Sequence, residues 1–235
     1  MRHLAIGDIH GHLRALEALL DAVDPQPDDL IITLGDYVDR GPDTRGVLEL
    51  LMDWQNRNRL IPLQGNHELL MLNAEGEDYD LWLQVGGREA LASYAPADSE
   101  GTLADIPESH WDFIKNRCRR WYETDDTIFV HAGVDPELPL TEQDEYNLCW
   151  KKFIPDKLRP HVSGKRVVCG HTAQKTGLPL NVGHHVCIDT CIYGVGGWLT
   201  CLDVATNHIW QADPRGRIRE RELPEPLTIS QEGTS

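Results

Sequence analysis

No run of apolar residues in this 235-residue chain approaches the length of a membrane span. The first residues, Met1-Arg2-His3-Leu4-Ala5-Ile6-Gly7-Asp8, lack the charged, apolar and cleavage regions of a signal peptide. The six cysteines, at 118, 149, 169, 187, 191 and 201, form no CxxC pair, which removes the simplest zinc and dithiol motifs. Several stand in apolar runs such as Val167-Val168-Cys169, the usual setting of reduced, buried thiols. Positive charge is also scarce. With 22 Lys and Arg against 38 Asp and Glu, the net charge of −16 argues against a nucleic-acid backbone as the main partner. No internal repeat, low-complexity linker or second domain is visible. These absences predict a cytoplasmic protein with neither a membrane nor a nucleic-acid partner.

The acid is uneven, with nine acidic residues and one arginine between Asn73 and His110. That segment reads as a solvated surface. It also means that an anionic substrate needs local positive charge, which bound metal ions would provide.

What is present is an alternation of strand-like and helix-like segments. Leu4–Ile6, Leu30–Leu34 and Leu60–Leu63 read as strands. Between them lie helical patterns, Leu13 to Val23 and one from Pro42 through Val47, Leu48, Leu51 and Trp54. Glu68–Leu72 starts another helix, and this βαβαβ opening predicts a largely parallel, buried sheet. Residues 73–126 carry helical patterning around Trp82–Tyr94 and Glu108–Tyr122. The β-rich stretches Thr127–His131, Arg166–His171, Val186–Asp189 and Trp198–Val204 follow. Pro214–Ser235, rich in Arg, Glu and Pro, reads as an extended strand end and a disordered tail, so the folded domain is placed at 1–213.

Apolar strands repeatedly run into short polar clusters flanked by glycine. These are Gly7-Asp8-Ile9-His10-Gly11, Gly35-Asp36-Tyr37-Val38-Asp39-Arg40-Gly41, Gly65-Asn66-His67-Glu68, His131-Ala132-Gly133 and Gly170-His171-Thr172. Carboxyl ends of parallel strands share one rim, so clusters far apart in sequence meet in space. Singly, each has a bland reading: a Gly-Asp turn, an asparagine helix cap, a satisfied core histidine. Together they make a ligand set. Asp8 and His10 sit two apart on an extended segment and face one side. Asp36 is a carboxylate able to bridge two metals, and Asn66, His131 and His171 add an amide oxygen and two imidazoles. Oxygen and nitrogen donors without thiolate suit a borderline divalent ion such as Mn²⁺, Fe²⁺ or Zn²⁺, and not a closed structural zinc site.

In this order the blocks resemble the phosphoprotein phosphatase superfamily of metallophosphoesterases, most of all its compact bacterial and phage-type serine/threonine protein phosphatases. The resemblance runs from about Gly7 to Thr200, with Ile188-Asp189-Thr190 at a late strand and Trp82-Leu83-Gln84-Val85-Gly86-Gly87 like a Trp-Leu…Gly-Gly stretch of those members. It implies an α/β fold of calcineurin-like type, a β-sandwich of two mixed sheets flanked by helices. It places Asp8, His10 and Asp36 on one metal, and Asp36, Asn66, His131 and His171 on the other. It makes His67 the proton donor to the leaving oxygen, oriented by Asp39, and Arg40 a contact to the substrate phosphate. The implied reaction is direct attack of a water bridging the two metals, without a phosphoenzyme.

Two departures concern the phosphate grip. Gln64 stands where many relatives have arginine, and Trp150-Lys151-Lys152 replaces a Trp-x-Arg stretch, which leaves Lys152 as a candidate substrate contact without arginine's bidentate fork. The expected substrate is a phosphoprotein or a small phosphoester. Symmetrical dinucleoside polyphosphate hydrolysis, typified by diadenosine tetraphosphate, is the alternative activity. Non-catalytic alternatives are a phosphoprotein-binding pseudophosphatase, disfavoured because no ligand position is lost, and a thiol sensor using Cys187 and Cys191.

Overall fold

Buried apolar runs produce the strands and amphipathic runs the helices that cover them. The computed structural model describes residues 1–57, 60–76, 78–96 and 99–227. In chain order, β1 (His3–Ile6), α1 (Leu13–Val23), β2 (Leu30–Thr33), α2 (Thr44–Arg57) and β3 (Leu60–Pro62) form the expected βαβαβ opening. They are followed by α3 (Asn66–Leu72), α4 (Tyr79–Trp82), α5 (Arg88–Tyr94) and α6 (Glu108–Asp112). The second half holds β4 (Trp121–Glu123), β5 (Thr127–Val130), α7 (Glu145–Cys149), β6 (Arg166–Cys169), β7 (Leu180–Asn181) and β8 (His185–Cys187). It ends with β9 (Leu199–Asp203), β10 (His208–Ala212) and β11 (Ile218–Glu222).

The strands make two mixed sheets, β11-β10-β9-β1-β2-β3 and β4-β5-β6-β8-β7. β1, β2 and β3 are mutually parallel, as are β5, β6 and β8, whereas β9 joins β1 antiparallel. The opening sheet is therefore extended by antiparallel strands on one side. Period-two alternation sorts the side chains. Ala5, Ile32, Val168, Val186 and Leu202 meet in the layer between the sheets. Leu4, Ile6 and Ile31 pack outward under α1 and α2, and Val167, Cys169 and Cys187 pack under the α7 side. α1 buries Ala15, Leu16, Leu19, Leu20 and Val23, one face at helical spacing.

Local expectations were corrected in four places. Pro42 stands before α2, which starts at Thr44 with the Asp43 carboxylate accepting the Gly46 N–H at 2.8 Å. α3 begins at Asn66 and not Glu68, capped by the Glu68 carboxylate reaching back to the Gly65 N–H at 2.8 Å, so Asn66 is not the cap. The helical pattern Glu108–Tyr122 ends early. A π turn spans Phe113–Arg117, Cys118 is extended, and Trp121–Glu123 pairs with β5, because the chain is captured alongside β3 by Arg119 N–H donating to the Pro62 carbonyl. Finally, Ile218–Glu222, in the stretch read as an extended strand end, pairs with β10 as an edge strand and so carries the sheet past residue 213, while residues 228–235 of the expected tail lie outside the described residues. Among the described residues no helix is long and apolar enough to cross a membrane, and all six cysteines are free thiols.

Candidate active site

The five polar clusters follow β1, β2, β3, β5 and β6 and converge on one rim. The backbone there is unusual. His10, Asp36, Asp39, Arg40 and His171 all have positive φ, from 45° to 70°, in a region non-glycine residues seldom occupy. Such conformations persist where surrounding contacts over-determine them, and they concentrate at functional sites. Gly65 and Gly170 show why glycine recurs in these blocks. A Cβ at Gly65 would collide with Asp36, and one at Gly170 with Asp8.

Asp36 is the focus. Its donor atom lies within 4.8 Å of those of His10 and His67 on one side and of His131 and His171 on the other. Asn66 joins the second group, its Oδ1 3.0 Å from His131 Nε2 and 2.8 Å from His171 Nδ1. Asp8 stands behind, its carboxylate accepting the His171 backbone N–H at 3.1 Å. The geometry thus groups His67, expected as a proton donor, with His10 and Asp36, while Asp8 sits outside that tight cluster.

The three imidazoles expected as ligands each hand one N–H to a backbone carbonyl. His10 Nδ1 donates to Val38 at 2.9 Å, His131 Nδ1 to Leu34 at 2.8 Å and His171 Nε2 to Trp150 at 3.0 Å. The remaining nitrogens then carry lone pairs, and these face oxygens: His10 Nε2 is 3.6 Å and His131 Nε2 3.4 Å from Asp36. Burial lowers the pKa of His10 and His131, and takes His171 down to about 3, which keeps all three neutral. Carboxylates add to the pattern. Burial, with Asp189 and Asp36 nearby, raises Asp8 well above the carboxylate range, and burial raises Asp189 to about 6. Converging lone pairs and buried carboxylates fit divalent cations, which would satisfy both at once. Arg40 Nη1 meanwhile donates to His10 Nε2 at 2.9 Å, using the lone pair an ion would take.

His67 is held differently. Its Nδ1 lies 2.6 Å from Asp39 Oδ2, both side chains buried. Burial alone would lower the imidazole pKa, but Asp36 and Asp39 outweigh it and raise it. Arg40, Lys152 and Tyr193 line the outer side of the same cavity of about 360 Å³, together with Asp36, Asn66 and His67. The Arg40 guanidinium lies 4.2 Å over the Tyr193 ring. Gln64 is turned away, donating to the Ile114 carbonyl at 3.1 Å, and takes no part in the cavity.

Three residues of this site were not predicted as part of it. Glu68 accepts backbone N–H groups from Gly65, Asp36 and Tyr37 at 2.7–2.8 Å, clamping the loop after β2 onto α3. Its position at the end of the third cluster was the available signal. Trp82 ends α4 and Tyr193 lies in a turn, and neither stands in a stretch that carries a ligand pattern.

The architecture is the metallophosphoesterase fold, two mixed sheets with helices outside and a cluster of Asp, His and Asn at the rim. The profile of the calcineurin-like phosphoesterase family matches residues 1–179, and the chain belongs to that family. It is 40% identical over 89 residues to serine/threonine-protein phosphatase 2 of Escherichia coli (strain K12), covering 37% of this chain and 39% of that protein. It is 41% identical over 125 residues to serine/threonine-protein phosphatase 1 of Salmonella typhimurium, covering 50% of this chain and 55% of that one. A symmetrical bis(5'-nucleosyl)-tetraphosphatase of Photorhabdus laumondii is 33% identical over 142 residues, covering 57% of this chain and 45% of that one. The chain thus spans about two-fifths to just over half the length of these relatives. In three dimensions it matches the structure of a proposed diadenosine tetraphosphatase with a TM-score of 0.63 at 21% identity, covering 94% of this chain and 93% of that one.

Proposed function

We propose that the protein is a divalent-metal-dependent hydrolase of phosphomonoesters, with phosphoserine and phosphothreonine in proteins as its substrates. The observation that carries this reading is the convergence on Asp36 of imidazole lone pairs fixed by backbone hydrogen bonds. Asp8, His10 and Asp36 would hold one ion, and Asp36, Asn66, His131 and His171 the other, with Mn²⁺ as the first candidate. Two divalent ions so bound would supply Lewis acidity, which neutralises phosphate oxygens and lowers the pKa of a water.

The chain's own residues supply the rest. Arg40, at the cavity wall, offers a guanidinium to the equatorial phosphate oxygens, where charge grows in the transition state. A departing alkoxide is a poor leaving group and needs a proton. With Nδ1 engaged by Asp39, His67 presents Nε2–H to that oxygen, and the two neighbouring carboxylates favour the protonated imidazole. Lys152 adds a point charge at the rim.

Support for the protein-phosphatase substrate is the higher identity to the two bacterial serine/threonine-protein phosphatases, 40% and 41%, than to the tetraphosphatase, 33%. The second reading, symmetrical dinucleoside tetraphosphate hydrolysis, rests on that tetraphosphatase and on the structural neighbour. Parallel assays of a phosphopeptide panel and of diadenosine tetraphosphate, each with Mn²⁺, Fe²⁺ or Zn²⁺, decide between them. Phosphopeptide turnover is expected, and cleavage of the dinucleotide alone would overturn the first reading. Absence of turnover on both and on p-nitrophenyl phosphate, with every metal, would turn the assignment to a non-catalytic phosphoprotein binder.

A further inference from the structure

The run Trp82–Gly87 touches two consecutive residues of the site from behind. Trp82, with none of its surface exposed, directs its indole N–H to Asp39 Oδ1 at 2.9 Å, while Asp39 Oδ2 faces His67 Nδ1 at 2.6 Å. Each oxygen of the buried Asp39 carboxylate therefore has one partner, and the carboxylate plane is set by both. Leu83–Gly87 then forms a wide π turn kinked at Gly86, with φ 131°. At the kink the Gly86 carbonyl accepts the Arg40 backbone N–H at 3.1 Å. A side chain at Gly86 would meet the Arg40 backbone nitrogen, so the approach requires glycine. Asp39 and Arg40 have φ of 70° and 68°, so this contact helps hold two successive residues in the left-handed region. Insertions that widen a helix into a π turn often occur where a functional group must be aimed.

We infer that Trp82 is a positioning residue for proton transfer: through Asp39 it fixes the rotation of His67, so that Nε2–H points at the leaving oxygen. The inference rests on the general-acid reading of His67. Losing the indole N–H would leave a buried carboxylate oxygen without its donor, free to turn and carry the imidazole with it. The cost would fall on substrates that need a proton on departure and spare those that do not.

The test compares phenyl phosphate with p-nitrophenyl phosphate, two esters of like shape whose leaving groups differ in their need for a proton, in the Mn²⁺-loaded protein. Trp82→Phe is expected to lower kcat on phenyl phosphate about tenfold, the scale on which a supporting hydrogen bond registers. The loss on p-nitrophenyl phosphate should stay below about twofold, with bound metal and KM unchanged. Benzothienylalanine placed at position 82 keeps the bicyclic ring and replaces N–H by sulfur. It should reproduce the split even if the smaller phenylalanine unsettles the core. In an Asp39→Asn background the Trp82 change should add nothing, because its path to His67 is gone. Equal losses on both esters in the benzothienylalanine protein, or full additivity with Asp39→Asn, would overturn the inference. His67→Asn separates this from the parent reading. If it too loses activity equally on both esters, the general-acid role fails; if it shows the split and the Trp82 variants do not, only the inference fails.

Discussion

Around Asp36 every imidazole expected as a ligand is tied to a backbone carbonyl, and two of the three are sealed from solvent with His171 half-buried, whereas the outer wall of the same cavity is built from more exposed side chains. His10 and His131 have no exposed surface, while Tyr193 keeps 39% of its surface exposed and Lys152 is exposed at the rim. Arg40 lies between the two regimes. Its backbone is pinned by Gly86, but its guanidinium rests on the open Tyr193 ring and on the His10 lone pair. Backbone-anchored donors lose little freedom when they bind, so they set the reaction. Exposed contacts pay ordering entropy for each substrate and tune which one is accepted.

The largest expected effect comes from breaking the buried half. Asp36→Asn should lower turnover by at least about a thousandfold, as when a member of a catalytic unit is lost. Metal analysis by mass spectrometry should show both ions depleted, and two retained ions with normal turnover would remove Asp36 from the shared position. Next is His67→Asn, expected to cost about a hundredfold or more on phosphoserine while leaving metal content intact. A like loss on p-nitrophenyl phosphate would place His67 among the ligands, where its proximity to His10 and Asp36 also allows it to be. On the outer wall, Lys152→Met should raise KM for a phosphopeptide less than about fivefold, since an exposed charge contributes about 0.2–1 kcal/mol. A collapse of kcat would show that Lys152 belongs to the machinery and not the rim.

The smallest functional effect concerns a histidine that is buried outside the rim. His185 on β8 is 2% exposed, and burial, then His184, lowers its pKa to about 3. A histidine lowered in the folded state adds stability that is complete above its unfolded value of about 6.5 and is lost as pH falls towards the folded value. Thermal melts should therefore show that the native chain loses about 2 kcal/mol through this group between pH 7 and 5. His185→Gln should lose that much less over the same interval, without a change in turnover at pH 7. An equal acid response in both proteins would show that His185 is not kept neutral by the fold.

Much of the architecture was legible because burial on both faces leaves continuous apolar runs, as in Leu30–Ile32 and Val167–Val168, and because the clusters sit directly after them. The strands that sequence did not reveal are β4, β7 and β10. β4 is half-buried throughout and β7 has two residues, while β10 buries the polar Gln211 on the same face as Ile209, so no run of apolar alternation marks any of them. The helical pattern running to Tyr122 was cut at Arg117 by pairing beside β3, a long-range contact that local periodicity does not contain.

The sequence by itself determined the donors: which oxygens and nitrogens arrive at the strand ends, in what order, and that glycines let the backbone approach them. Only the tertiary structure decided which nitrogen of each histidine is free, because the carbonyls that take the other proton, Val38, Leu34 and Trp150, lie 28, 97 and 21 residues away. It also decided that Gln64 faces inward, that Asp189 stands near Asp8, and that Trp82 backs Asp39. A side chain's type is written in the chain, but its hydrogen-bond partner is chosen by whichever distant group the packed sheets bring within about 3 Å.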